Sequence, residues 1–234
     1  MLSPTRPQVA TAEIPGAFRQ HRRGSTSLGR VRCAHEPSIA ATANPNLVHN
    51  FVFDRSGSRL YAFALDGNVY SIDPDRGIVL AQSNVGSVRG LTWTSDGRQL
   101  IASGKGELVL LSPATLAVTR RISGLQVGQI FYPTALADGK TVLAPAAVDG
   151  VLLVVNLQTG TVEKRIRIGA PLQLCLGPSG ARAWITNVAA IRRDSAGAQS
   201  GRGGITELDL RNDTTREIGG FLNVNSIAVA DIPE

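Results

Sequence analysis

Long apolar runs are missing from this chain of 234 residues. The longest, Val142 to Val155, is interrupted by Pro145, Asp149 and Gly150, whereas a membrane-spanning helix needs about 18 residues without such breaks. No membrane span is expected. Cysteine is scarce too: Cys33 lies near the start and Cys175 inside the apolar triplet Leu174-Cys175-Leu176. Neither has partners at a zinc-site spacing, so no metal is expected, and Cys175 reads as a small buried hydrophobe. Histidine occurs only as His21, His35 and His49. The second half of the chain therefore has no imidazole base to serve a serine nucleophile. The elbow-like Gly177-Pro178-Ser179-Gly180 also has Ala181 where that pattern needs glycine.

Charge of one sign is concentrated rather than general. The formal net charge is +6, but residues 1–46 hold six arginines (Arg6, Arg19, Arg22, Arg23, Arg30, Arg32) against Glu13 and Glu36. That segment accounts for +4 and leaves only +2 for the rest, too little for a phosphate-binding face, so no nucleic-acid partner is expected. Residues 1–46 are rich in Pro, Arg, Ser, Thr and Ala and lack strand periodicity, which predicts a disordered tail. No apolar h-region marks a secretory signal. The Arg-rich, acid-poor composition and Val31-Arg32-Cys33-Ala34 leave plastid targeting as a minor alternative.

What the chain does have is turns. Glycine and proline number 25 and 12, too many for a helical bundle. Four segments share one grammar of apolar strand, tight turn, second strand, loop, third strand, polar turn and fourth strand. The tight turns are Arg55-Ser56-Gly57, Ser95-Asp96-Gly97, Ala137-Asp138-Gly139 and Pro178-Ser179-Gly180, with glycines 40, 42 and 41 residues apart. A hairpin wants positive φ there, which a β-carbon penalises. The same register explains Gly139-Lys140-Thr141 as a turn rather than a phosphate loop, whose earlier glycine is replaced by Thr134. Asp73, Asp75, Asp209 and Asp213 fall in the polar turns, where aspartate caps local backbone. Fourth strands such as Val162-Glu163-Lys164-Arg165-Ile166 mix charge with apolar residues, as outermost strands do.

A four-strand period of about 40 residues predicts an all-β β-propeller. The blades fall at about 47–86, 87–126, 127–169 and 170–221, with a further blade beginning at 222–230. The fourth carries an insertion within Val188 to Gly203. Four blades plus one extra strand predict a partial or open propeller, with edges at the first blade and at 226–229 that invite self-association.

Ser95-Asp96-Gly97-Arg98-Gln99-Leu100-Ile101 resembles the YVTN-type propeller repeat, and Asp66-Gly67-Asn68-Val69-Tyr70-Ser71-Ile72-Asp73 through Gly77 resembles the repeat of pyrroloquinoline-quinone-type propellers. The likeness covers residues 47–230. It implies an extracytoplasmic or periplasmic setting. The tryptophan that quinoprotein repeats place in the fourth strand is absent, so no cofactor is expected.

In a propeller, first-strand starts and the loops after second strands meet at one mouth of the central channel, where ligands bind. Those positions hold His49, Asn50, Arg89, Tyr132, Gln173 and Asn225, with Arg192 and Arg193 on the insertion. Neighbouring loops add Asp66, Lys105, Glu107, Asp149 and Asn187. The blades carry no evident base, nucleophile or metal cluster. A non-catalytic propeller binding a protein or a small polar or anionic ligand at this rim is the expectation. The alternative is part of a propeller enzyme of lactonase, lyase or dehydrogenase type, drawing on His49 and Arg89.

Overall fold

The computed structural model describes residues 48–188, 192–193, 199–200, 203–221 and 227. Every regular element among them is a β-strand or bridge, and no helix is long and apolar enough to cross a membrane. The sequence expectations for residues 1–46 and for the strand at 226–229 fall outside these residues, Ile227 excepted.

Sixteen strands form four antiparallel sheets of four, each ordered as the chain runs. Blade 1 is β1 (Val48–Phe53), β2 (Leu60–Ala64), β3 (Asn68–Asp73) and β4 (Ile78–Asn84). Blade 2 is β5 (Gly90–Trp93), β6 (Leu100–Ser103), β7 (Leu108–Leu111) and β8 (Val118–Ile122). Blade 3 is β9 (Thr134–Ala135), β10 (Thr141–Ala146), β11 (Val151–Asn156) and β12 (Thr161–Arg167). Blade 4 is β13 (Pro171–Leu176), β14 (Arg182–Asn187), β17 (Gly203–Asp209) and β18 (Thr214–Phe221). Its insertion carries a small hairpin, β15 (Arg192–Arg193) with β16 (Gln199–Ser200).

The turn glycines do what their spacing predicts. Gly57, Gly97, Gly139 and Gly180 have φ of +74°, +70°, +78° and +66°. In the adjoining hairpins an aspartate or asparagine caps the turn: Asp73 Oδ1 accepts from the N–H of Asp75 and Arg76, and Asn156 Oδ1 from those of Gln158 and Thr159.

The core lies between blades, because each sheet is apolar on both faces while its outermost strand is polar. The second strand of blade 2 is buried throughout, whereas β8 is exposed at four of five positions. One cluster joins blades 1 and 2 through Tyr61, Phe63, Val69, Leu100 and Leu111. A second joins blades 2 and 3 through Ile101, Leu108, Leu110, Val142 and Leu153. A third joins blades 3 and 4 through Leu143, Leu152, Ile185 and Leu208. Each fully buried leucine or isoleucine contributes about 1.5–3 kcal/mol, so these seams hold the blades in order.

Polar links repeat along the turn-bearing end. Arg55 donates to Ser95 O (2.7 Å), Trp93 Nε1 to Phe53 O (2.7 Å) and Tyr61 to Pro113 O (3.1 Å), all between blades 1 and 2. Arg120 reaches Gln158 O (3.1 Å) and Leu157 O of blade 3, and Lys164 pairs with Asp213 of blade 4 (2.7 Å).

Candidate functional site

At the opposite end, first strands begin and second strands finish. The pairing of β1 with β2 slips between Val48 and Asn50, leaving His49 as an extra residue. A bulge of this kind turns a side chain out of the regular alternation. The His49 ring lies over Phe63, with centroids 5.9 Å apart and planes at 28°. Tyr132 stands near the same ring, at 6.1 Å and 24°.

Tyr132 precedes β9, two blades away along the chain, yet its hydroxyl lies 2.7 Å from His49 Nδ1. Two features of blade 2 bring it there. Gly90 opens β5, and a β-carbon on it would stand 2.7 Å from both Tyr132 Cα and Pro133 Cδ. Only glycine leaves room for that stretch of backbone, as glycine in a strand often does. Beside it, the buried Ser103 hydroxyl donates to Phe131 O at 2.6 Å. Pro133 follows Tyr132 and brings no N–H, which suits a strand of only two residues.

Arg89 supplies the charge. Its backbone N–H donates to Ser103 O (2.8 Å) and its Nη1 to Val88 O (2.8 Å), which folds the guanidinium back against its own strand, close enough for its charge to act on His49 and Tyr132. Partial desolvation of the ring against Phe63 and Tyr132, with Arg89 adding to it, holds the His49 imidazole below the ordinary histidine range although the residue is exposed at the rim. Burial raises the Tyr132 phenol, partly opposed by Arg89. Tyr132 therefore keeps its proton at neutral pH beside a neutral imidazole, and the two share one hydrogen bond, from the phenol to Nδ1 or from Nδ1–H to the phenol oxygen according to the imidazole tautomer. When the phenol donates, the hydrogen of His49 sits on Nε2, where it is a neutral donor in the field of the Arg89 cation. Three blades thus place an imidazole, a phenol and a guanidinium at one mouth.

The other expected rim residues divide. Asn50 Oδ1 accepts from the N–H of Phe51 (2.6 Å), so its carbonyl is turned to its own strand. Gln173 lies in a second first-strand irregularity, between Pro171 and Leu174, where Thr186 Oγ1 accepts from its N–H and donates to its carbonyl. Its side chain is half-buried at the mouth. Arg192 and Arg193 form β15, opposite Ser200 and Gln199. Asn225 lies outside the described residues.

Three loop carboxylates have structural duties. Asp66 accepts from Asn68, Glu107 is held by Arg121 (2.8 Å) and Ser123, and Asp149 receives the N–H of Gly128 (2.9 Å). Lys105 is exposed. Asn187 is buried, gives its Nδ2 to Thr206, and leaves Oδ1 without a partner among the described residues. Sequence reasoning did not single out Gly90 and Ser103. Their signal was a glycine at a strand start and a serine ending an apolar strand, both common enough to pass unnoticed.

No protein-family model matches the chain, and no curated protein matches it either. Among solved structures it is similar to hydrazine synthase of Kuenenia stuttgartiensis, a protein that contains a β-propeller, with a TM-score of 0.62 and 14% identity. The match covers 76% of this chain and 51% of that one, so the chain spans about half the length of the solved protein. At this identity the likeness shows the fold alone: this is a β-propeller architecture.

Proposed function

We propose that the protein is a non-catalytic propeller that binds a small anionic ligand, a carboxylate or phosphate, at the channel mouth. The observation that carries this reading is the convergence of His49, Tyr132 and Arg89 from three blades. A fixed guanidinium beside an imidazole N–H offers a charge and a directed donor to oxygen-bearing anions. Of the nearby carboxylates, Glu107 is already paired with Arg121, and Asp66 and Asp149 are turned to the N–H groups of Asn68 and Gly128. A ligand held by several blades uses the propeller as its rigid frame.

Calorimetric titration of the full chain with inorganic phosphate and with malonate tests this. Saturable binding to at least one is expected, weakened at least tenfold in Arg89→Ala and His49→Ala, with a matching loss of ligand-induced thermal stabilisation. Absence of binding to both at millimolar concentration contradicts the reading. The Tyr132–His49 hydrogen bond favours one second reading, a lyase-type enzyme in which that pair moves a proton. Turnover of lactones or uronate sugars that Tyr132→Phe abolishes would replace the binding role with that one.

A further inference from the structure

Cations of the fourth strands cross each seam between blades, and one seam differs from the others in charge. Between blades 2 and 3, Arg120 reaches from β8 to Leu157 O and Gln158 O at the turn end. Arg165 reaches back from β12 to Leu125 O (2.7 Å) and Gln126 O (3.5 Å), in the linker toward the mouth. Both arginines are exposed, and among the described residues neither pairs with a carboxylate. The cations of the other two seams are neutralised. Arg121, which reaches Val85 O between blades 1 and 2, is held by Glu107, and Lys164, between blades 3 and 4, by Asp213. At the register position of Arg165, blade 4 carries Glu217.

Between the two guanidiniums lies a groove of about 600 Å³, walled by residues 123–126 of the linker and residues 160–165 of β12 and its turn. Leu125 and Val162 line it and belong to the apolar cluster between these blades. Gly160 keeps the turn end open: a β-carbon there would stand 3.1 Å from Arg120 Nη2 and 3.7 Å from Ile122. The other charged side chains of this wall have partners. Glu163 Oε1 accepts from Asn156 Nδ2 (2.7 Å), and Lys164 is turned to Asp213 of blade 4. β12 is the outermost strand of its sheet, so one row of its backbone N–H and C=O groups has no strand partner among the described residues. From Thr161, beside Gly160, to Arg165 the strand rises about 13 Å. Residues four apart on a strand paired with β12 span the same length, and the alternation of side chains puts both on one side.

We propose that this groove docks an extended acidic segment of a partner protein. The segment adds to the free edge of β12 and sets two carboxylates, four residues apart, against Arg120 and Arg165. Main-chain hydrogen bonds to the edge hold the segment, and the side chains at alternate positions choose it. The apolar floor of Leu125 and Val162 receives a small hydrophobic residue between the two acids. A free phosphate is too short to span both guanidiniums and makes no use of the strand edge. Each arginine is already oriented by backbone carbonyls, so little side-chain freedom is lost on binding. This site is separate from the channel mouth and its anion.

Selection of a displayed random nonapeptide library against the immobilised full chain tests this. The expected winners carry two Asp or Glu residues four apart, among β-branched residues. A labelled synthetic copy of a winner should bind the full chain saturably in fluorescence anisotropy, and changing both its acids to Gln should weaken it at least tenfold. Arg120→Gln combined with Arg165→Gln should do the same with an unchanged far-ultraviolet spectrum, whereas His49→Ala should leave binding as it is. Methylating alternate backbone nitrogens of the peptide should abolish binding in one phase and spare it in the other, because only one edge of its chain meets β12. If the paired substitution unfolds the chain, the Gln peptide and the methylated peptides decide alone. Winners without the acidic pair, equal binding of the Gln peptide, indifference to the phase of methylation, or loss of binding in His49→Ala would each overturn the inference.

Discussion

The two ends of the channel are made from the same four blades in opposite ways. At the turn end the repeat is obeyed. In each blade the turn after the third strand closes with the same five-residue hydrogen bond, as in Gly77 N–H to Asp73 O, Leu116 to Ser112, Gly160 to Asn156 and Asp213 to Asp209. At the mouth the repeat is broken. His49 is expelled by a bulge, Tyr132 crosses to blade 1, the blade 3 first strand shrinks to two residues and blade 4 takes an insertion. The difference separates roles. Residues that follow the period hold blades together, and residues that depart from it share one concavity.

The sharpest way to break this division is at its glycines. Gly90→Ala forces a β-carbon onto the Tyr132 backbone and is expected to cost about 3 kcal/mol. Gly57→Ala meets nothing within 4 Å and carries only the left-handed backbone penalty, about 1 kcal/mol. Thermal or denaturant unfolding compares them, and equal losses would erase the distinction. Next comes Arg120→Ala, which removes the donor to Leu157 and Gln158. It should lower stability by about 1 kcal/mol and leave anion binding at the mouth unchanged. Lys164→Ala deletes an exposed ion pair and should cost at most about 0.5 kcal/mol, shrinking further in salt.

A pH dependence sharpens the other side. His49 resists protonation in the folded state, so its contribution to stability is present above the unfolded value of about 6.5 and is lost as pH falls below it. Unfolding curves between pH 7 and 5 should show this loss in the wild type and less of it in His49→Gln.

Much of this was legible in the sequence, and for a physical reason. Turn glycines at a fixed spacing and apolar strands between them dictate sheets through local chemistry, so the strands around Leu100, Val142 and Ala183 stand where the pattern puts them. The mouth was legible only by register. Counting along the repeat found His49, Arg89 and Tyr132 as neighbours of one channel end. It did not reveal the bulge that aims His49, because a one-residue slip depends on how β1 meets β2 rather than on composition. Nor did it reveal Gly90, whose importance is the backbone of another blade. Asp66, Glu107 and Asp149 looked like rim candidates, but each is spent on a neighbouring N–H or guanidinium, partners that appear only once loops fold.

The claim that His49, Tyr132 and Arg89 form one anion-binding unit is tested most directly by a histidine-resolved NMR titration of the full chain, with and without phosphate. The account predicts that His49 titrates below about 6.5. Phosphate should raise its midpoint, because a bound anion favours the imidazolium, and Arg89→Ala should abolish that response. A His49 that titrates as a solvent-exposed histidine and ignores millimolar phosphate would contradict it.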